Sequence, residues 1–212
     1  MHILAQVALQ RVLQAGIKKI KEKPSLIDDI FAGYNCPEMS ADYGQSYIDS
    51  IKSWFANTKI PVVQAWSFDA QRIPLISVKL ATESEDESKA AIGDFFGDGE
   101  DAEIGTGVFT VMLDIGIHTS KTGDEVLWLY YIVCYILFKN KQLADKLGLR
   151  LQTFSASDYN KDPNLMADNI WSRWIRYRCT VENMWDGDEF LNIDDLEVSI
   201  ENVSANADPD VN

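Results

Sequence analysis

The chain has 212 residues, 46% of them hydrophobic and 25% charged, which is a globular composition and enough length for one substantial core. Nineteen Lys and Arg stand against thirty-three Asp and Glu, a formal charge of −14. That balance argues against a grip on nucleic acid, where affinity comes from cations displacing phosphate counterions, and no polybasic stretch is present to hold an anionic membrane.

The longest apolar run, VLWLYYIVCYILF at 126–138, falls well short of the ~20 residues that cross a bilayer. The first residues place apolar side chains before cations, the reverse of a secretory leader. Cys36, Cys134 and Cys179 are odd in number and widely spaced, so they read as small buried thiols of a protein made in a reducing compartment.

The chain opens with an amphipathic helix. Ile3, Leu4, Val7, Ala8, Val12, Leu13, Ile17 and Ile20 recur at three- and four-residue steps, and Lys18, Lys19 and Lys21 gather late, where cations suit the negative helix end. This face is either core or a surface for a partner. Pro24 stops the helix, and Ser25 is placed to cap a short turn, SLIDDIF. A third helix is predicted over Ala41 to Asn57, with Tyr43, Tyr47, Ile48, Ile51, Trp54 and Phe55 on one stripe.

From Lys59 the period becomes two. IPVVQAWSF (60–68) and IPLISVKLA (73–81) read as strands joined by a hairpin-length connection, with Pro61 and Pro74 at their starts. A long loop, 82–107, follows. It holds Glu83, Glu85, Asp86, Glu87, Asp94, Asp98, Glu100, Asp101 and Glu103 against one cation, Lys89. Its Gly and acid content predicts a segment that stays mobile in a free subunit and orders on assembly.

The next strand, GVFTVMLDIGIHTS, alternates, with Phe109, Val111, Leu113, Ile115 and Ile117 on the buried side. Thr122 caps a helix with Asp124 and Glu125 in its first turn. This helix is expected to run to about Lys146, apolar nearly all round, and to end at Gly148. Strands are expected at 149–157, 170–183 and 196–204, followed by a polar tail at 205–212. In the second of these, Ile175, Tyr177, Cys179 and Val181 oppose Trp174, Arg176, Arg178 and Thr180. The fold class is α+β: a mixed, mainly antiparallel sheet packed against a long apolar helix, with a helical N-terminal region at 1–57 and an α+β core at 58–204.

Catalytic motifs are absent. There is no GxSxG elbow, no HExxH and no phosphate-binding GxxxxGK[ST], and the only histidines are His2 and His118. No cofactor and no metal is expected. DGEDAE (98–103) and DGDEFLNIDD (186–195) group carboxylates without EF-hand spacing, so a solvated acidic face is the reading preferred over calcium. RWIRYR (173–178) mixes Arg with aromatics, but on a strand Arg173 faces away from Arg176 and Arg178. Packing, or ion pairs to acids of a neighbouring subunit, accounts for them.

An amphipathic N-terminal helix, then VFTVMLDIGIHTS, a charged turn, the helix DEVLWLYYIVCYILFKNKQL and returning strands together resemble the tail-terminator and tail-completion proteins of long-tailed bacteriophages. The resemblance covers residues 58–185 and rests on the pattern of elements. It implies a non-enzymatic virion protein assembled in the host cytoplasm. Its subunits would form a ring, expected to be a hexamer, at the head-proximal end of the tail tube, ending tube growth and joining the neck. DNA would pass through without specific binding, with no membrane involved. Six copies at −14 carry −84, and an acidic pore offers duplex DNA no site to stick to. Glu83, Glu85, Asp86, Glu87, Asp98, Glu100, Asp101, Arg176 and Arg178 are the lumen, rim or interface candidates. Other neck, connector or baseplate proteins, and an acidic DNA mimic that fills a cationic groove, are the alternatives.

Overall fold

Apolar spacing, late lysines and Pro24 give helix α1, Ala5–Glu22. In the computed structural model, which describes residues 4–35, 41–64, 73–85, 105–158 and 170–185, this helix turns Ala5, Ala8, Leu9, Val12, Leu13, Ile17 and Ile20 into the core. The apolar face of α1 is therefore core. Leu4, expected on that face, is 60% exposed one residue before the helix begins. Helix α2, Leu26–Ile30, and a 3-10 turn at Ala32–Asn35 follow; Ser25 precedes α2 but its side chain makes no capping hydrogen bond. Helix α3 spans Ala41–Asn57, the range its apolar stripe predicts, with Ile48, Ile51 and Phe55 fully buried.

The described strands form one mixed five-stranded sheet in the order β1-β2-β3-β5-β4. They are β1 Val62–Gln64, β2 Leu75–Glu85, β3 Gly105–Thr119, β4 Arg150–Asp158 and β5 Trp171–Trp185. Only the β1–β2 pair is parallel. The hairpin expected from 60–68 and 73–81 is thus corrected: Val62 lies beside Ile76 with both strands running the same way. A parallel pair needs a crossover rather than a tight turn. The acidic loop is shortened as well. Strand β2 continues through Glu83 to Glu85 and β3 begins at Gly105, so the connection spans 86–104 instead of 82–107. Alternation stops signalling a strand here because residues 82–85 are exposed on both faces and need no apolar side.

Helix α4, Gly123–Lys139, starts at the expected cap, where the Thr122 hydroxyl accepts a hydrogen bond from the Glu125 amide. It ends at Lys139, seven residues before the predicted limit near Lys146, and after the cap Asn140 a separate short helix begins, α5, Lys141–Lys146. The Asn140 side-chain amide donates to the Ile136 carbonyl, taking up an acceptor of the final turn. Nor does α4 lack a wet side: Leu127, Tyr131 and Phe138 are exposed at 39%, 44% and 63%. Gly148 closes the region at φ 87, a left-handed conformation that suits glycine.

Helices α1 and α4 pack on the same sheet face, and α2 and α3 join them to form a single core with the strands. Gly16 of α1 permits this closeness, because a Cβ there would run into the Ile136 side chain on α4. Trp128 on α4 donates to the Tyr47 hydroxyl at 2.6 Å and meets Tyr47 and Trp54 edge to face, pinning α3 to the bundle. From the sheet come Val111, Leu113, Ile115, Ile117, Ile175, Tyr177, Cys179 and Val181, each 0–1% exposed. These are the inward residues that strand alternation identifies. The N-terminal helical region and the α+β region therefore share one core. The strand expected at 196–204 and the tail at 205–212 lie outside the described residues.

Candidate functional site

Charge is distributed in the fold in a way the total of −14 conceals. The described residues hold sixteen of the nineteen Lys and Arg but only thirteen of the thirty-three Asp and Glu, a balance of +3. The remaining segments hold three cations and twenty acids, a balance of −17, which with +3 returns the chain total.

Most of those acids enter and leave at one end of the sheet. Strand β2 ends at Glu85, β3 begins at Gly105, and Gly105 lies beside Trp185, the last residue of β5. The connection 86–104, with seven acids and Lys89, and the segment 186–212, with nine acids and no Lys or Arg, are thus rooted side by side. Strand β2 stays paired with β3 up to Glu85, opposite Phe109, with Leu80 and residues 82–85 exposed. Glu83 and Glu85 sit on that stretch in water. Asp86, Glu87, Asp98, Glu100 and Asp101 lie outside the described residues.

At the opposite end of the sheet the described residues gather four lysines. Two neighbouring hollows, of about 460 and 710 Å³, open where α1 ends, α3 hands over to β1, β2 starts and β3 turns toward α4. Lys18, Lys21 and Lys59 line the first, Lys59 and Lys121 the second, and Pro61 floors both. Lys18 pairs loosely with Glu22 at 3.8 Å, and Lys21 donates to the Thr58 carbonyl at 2.6 Å while lying over the Phe55 ring. Lys59 and Lys121 are exposed and make no ion pair among the described residues. Sequence reading missed this convergence because the four lysines come from three separate places in the chain: the end of α1, the α3–β1 connection and the β3–α4 turn. Only the sheet topology brings them together.

The sheet face away from the helices carries Arg176 and Arg178, both exposed. Arg176 Nε donates to Asp114 Oδ1 at 3.1 Å, so this arginine is paired within its own chain. Arg173 faces the opposite way, as alternation requires, with its guanidinium 4.1 Å from the Tyr130 ring centre on α4. Arg150 meets Glu182 at 3.0 Å across β4 and β5, and both side chains are largely exposed. Such exposed pairs contribute about 0–1 kcal/mol each.

One polar group is deeply buried on that outer face. His118 is 1% exposed; its Nε2 lies 3.2 Å from Ser77 Oγ, its Nδ1 lies 2.8 Å from Ser172 Oγ, and its ring meets Trp174 edge-on. Gly116 makes the space, since a Cβ there would collide with His118, Ser77 and Trp174. Burial pushes the imidazole ionisation down from 6.5 to about 4, so the ring is neutral at physiological pH. A Ser–His–Ser chain resembles a nucleophile and its base, but at 1% exposure it has no access for a substrate. It is a structural polar network. Burial likewise raises the thiols, Cys134 upward and Cys179 to about 12, which removes their nucleophilic form.

Among the described residues no group of three His, Cys, Asp or Glu is placed to hold a metal, and no helix is long and apolar enough to cross a membrane. Compared with known proteins, the chain matches no family model and no curated sequence.

Proposed function

We propose that the chain is a non-enzymatic virion subunit. It forms a ring at the head-proximal end of a phage tail, ends tube growth and joins the tail to the neck. The observation that carries this reading is the rooting of two segments with sixteen acids and one cation at one end of a sheet, while the described residues sum to +3. A subunit polarised in this way can turn the end of β2 and the 86–104 connection toward a channel or rim and keep the rest of its surface for packing against neighbours. Duplex DNA meets like charge at that channel and slides without a binding site.

The outer face supports the same assignment. Lys79, Asp114, Arg176 and Arg178 make it mixed in sign, suited to contacts between copies rather than to lining the pore. Segment 186–212 is left for contact between copies, and the pore charge then comes from the end of β2 and the 86–104 connection. Glu83 and Glu85 are its described members, and Asp86, Glu87, Asp98, Glu100 and Asp101 are assigned with them by sequence position.

Negative-stain imaging of the purified protein, alone and mixed with purified tail tubes, tests this. Rings with a central hole of duplex width, free or seated on tube ends, are expected. A particle that stays monomeric by light scattering at every concentration and never decorates tube ends refutes it. The DNA-mimic alternative predicts instead a tight complex with a basic nuclease or repressor that weakens steeply with salt.

A further inference from the structure

We propose that the lysine-lined hollows at the opposite end of the sheet from Trp185 receive the acidic C-terminal segment, residues 186–212, of a neighbouring copy. The proposal rests on the ring reading for its neighbouring copy, and it places the C-terminal segment at the junction between copies while the end of β2 and the 86–104 connection face the channel.

Charge complementarity is the first support. The hollows present Lys18, Lys21, Lys59 and Lys121, and Lys59 and Lys121 have no ionic partner among the described residues. The segment presents nine acids and no Lys or Arg. The hollows are also of a size to take extended peptide, and their floor of Ile60, Pro61, Ile73 and Pro74 is apolar. That floor can accept the leucine and isoleucine residues of 190–200 between the acids.

Reach is the second support, and it separates a neighbour from the same chain. The segment starts at Trp185, beside Gly105, whereas the lysines cluster at the other end of the sheet, near Leu75, Thr119 and Trp171. Strand β5, fifteen residues long, separates the two ends by about 45–50 Å. The first ten residues after Trp185 carry Asp186, Asp188, Glu189, Asp194 and Asp195, and even fully extended they cover only about 35 Å. These five acids cannot reach the lysines of their own chain. A neighbouring copy whose lysine cluster lies beside Trp185 brings those lysines within their span. Such a contact is heterologous, the type that closes into a ring when the rotation between copies is right.

The test uses the full chain. Equal amounts of ordinary and nitrogen-15-labelled protein are mixed at a concentration where the protein associates, then treated with a carbodiimide, which joins a carboxylate to an amine at zero length. Mixed-isotope peptides linking Lys59 or Lys121 to acids of 186–195 are expected. The double variant Lys59→Glu/Lys121→Glu should weaken self-association about fivefold, the equivalent of two exposed ion pairs, and adding Asp194→Lys/Asp195→Lys should restore it. Links found only within one isotope, links from these lysines to 86–104 instead, or no links at all in associated protein overturn the proposal. Imaging decides the ring separately. Closed rings without the mixed links leave the ring standing and remove this contact, whereas open stacks or dimers with the links leave the contact standing and remove the ring.

Discussion

Acidification from neutral pH should destabilise the fold through His118. The unfolded chain takes up a proton on this histidine near 6.5, while the folded chain does so only near 4. Between those values the unfolded state binds more protons, so stability falls as pH falls and is restored as pH rises. The effect is absent above about 7, grows from 6.5 downward and levels off below 4. The gap between 6.5 and about 4 corresponds to about 3 kcal/mol at full development. The residue is 1% exposed, so solvent screening removes little of this. Against a net stability of ~5–15 kcal/mol it is a substantial fraction. Urea unfolding followed by Trp fluorescence at pH 7.5, 6.5, 5.5 and 4.5 measures it, with His118→Gln as the reference that cannot titrate. The reference costs stability at every pH because its amide fits the Ser77–Ser172 space imperfectly, so the decisive quantity is the difference in slope. Wild type should lose about 2 kcal/mol more than the variant between pH 6.5 and 4.5. Parallel curves for the two proteins would show that His118 is hydrated and would refute the buried neutral network.

Three further perturbations follow from the packing. Gly16→Ala should destabilise by about 1–2 kcal/mol in urea unfolding, because overpacking against Ile136, itself 1% exposed, outweighs the better helix propensity of alanine. Tyr177→Phe should leave the melting temperature unchanged or raise it, because the Tyr177 hydroxyl is buried with no hydrogen-bond partner among the described residues and its loss removes a desolvated group. A thiol-reactive chromophore at pH 8 should leave Cys134 and Cys179 unmodified in folded protein and label them in urea, by mass mapping, since burial holds both thiols protonated.

The buried half of this fold was legible in the sequence where a periodic apolar pattern met a sharp stop. The bounds of α3, the Thr122 cap and the inward faces of β3 and β5 all follow from spacing alone. Failures came where burial stopped imposing a pattern. Strand β2 continues to Glu85 through residues exposed on both faces, held by backbone bonds to β3 that leave no trace in side-chain hydropathy. The break at Asn140 is similar: LFKNKQL reads as continuing helix, and the turn comes from an asparagine that bonds back to Ile136. The parallel pairing of β1 escaped because three residues carry no directional signal. Long-range placement was the hardest part. His118 reads as a strand-end histidine until β2 and β5 bring Ser77 and Ser172 to it, and the lysine cluster exists only once the end of α1 meets the α3–β1 and β3–α4 connections.

The same placement changes what the net charge means. A uniform −14 would make every approach of two copies repulsive, and added salt would simply favour association. With +3 on the described residues and two acidic segments rooted at one end of the sheet, orientation decides the sign. Acidic segments facing one another repel, whereas an acidic segment meeting the lysine cluster attracts at the same ionic strength. The Debye length is about 8 Å at physiological salt, so only charges brought nearly into contact escape screening. Salt then has two opposed effects. It relaxes the crowding of acids around a channel, and it weakens each end-to-end contact. If lysine-to-carboxylate contacts hold the copies together, self-association measured by sedimentation should fall as NaCl rises from 50 to 500 mM, despite a chain charge of −14. Association that strengthens monotonically over that range would mean that repulsion between acids dominates and that the copies are held by apolar surface instead. The exposed Leu127, Tyr131 and Phe138 of α4 would then be the first side chains to substitute.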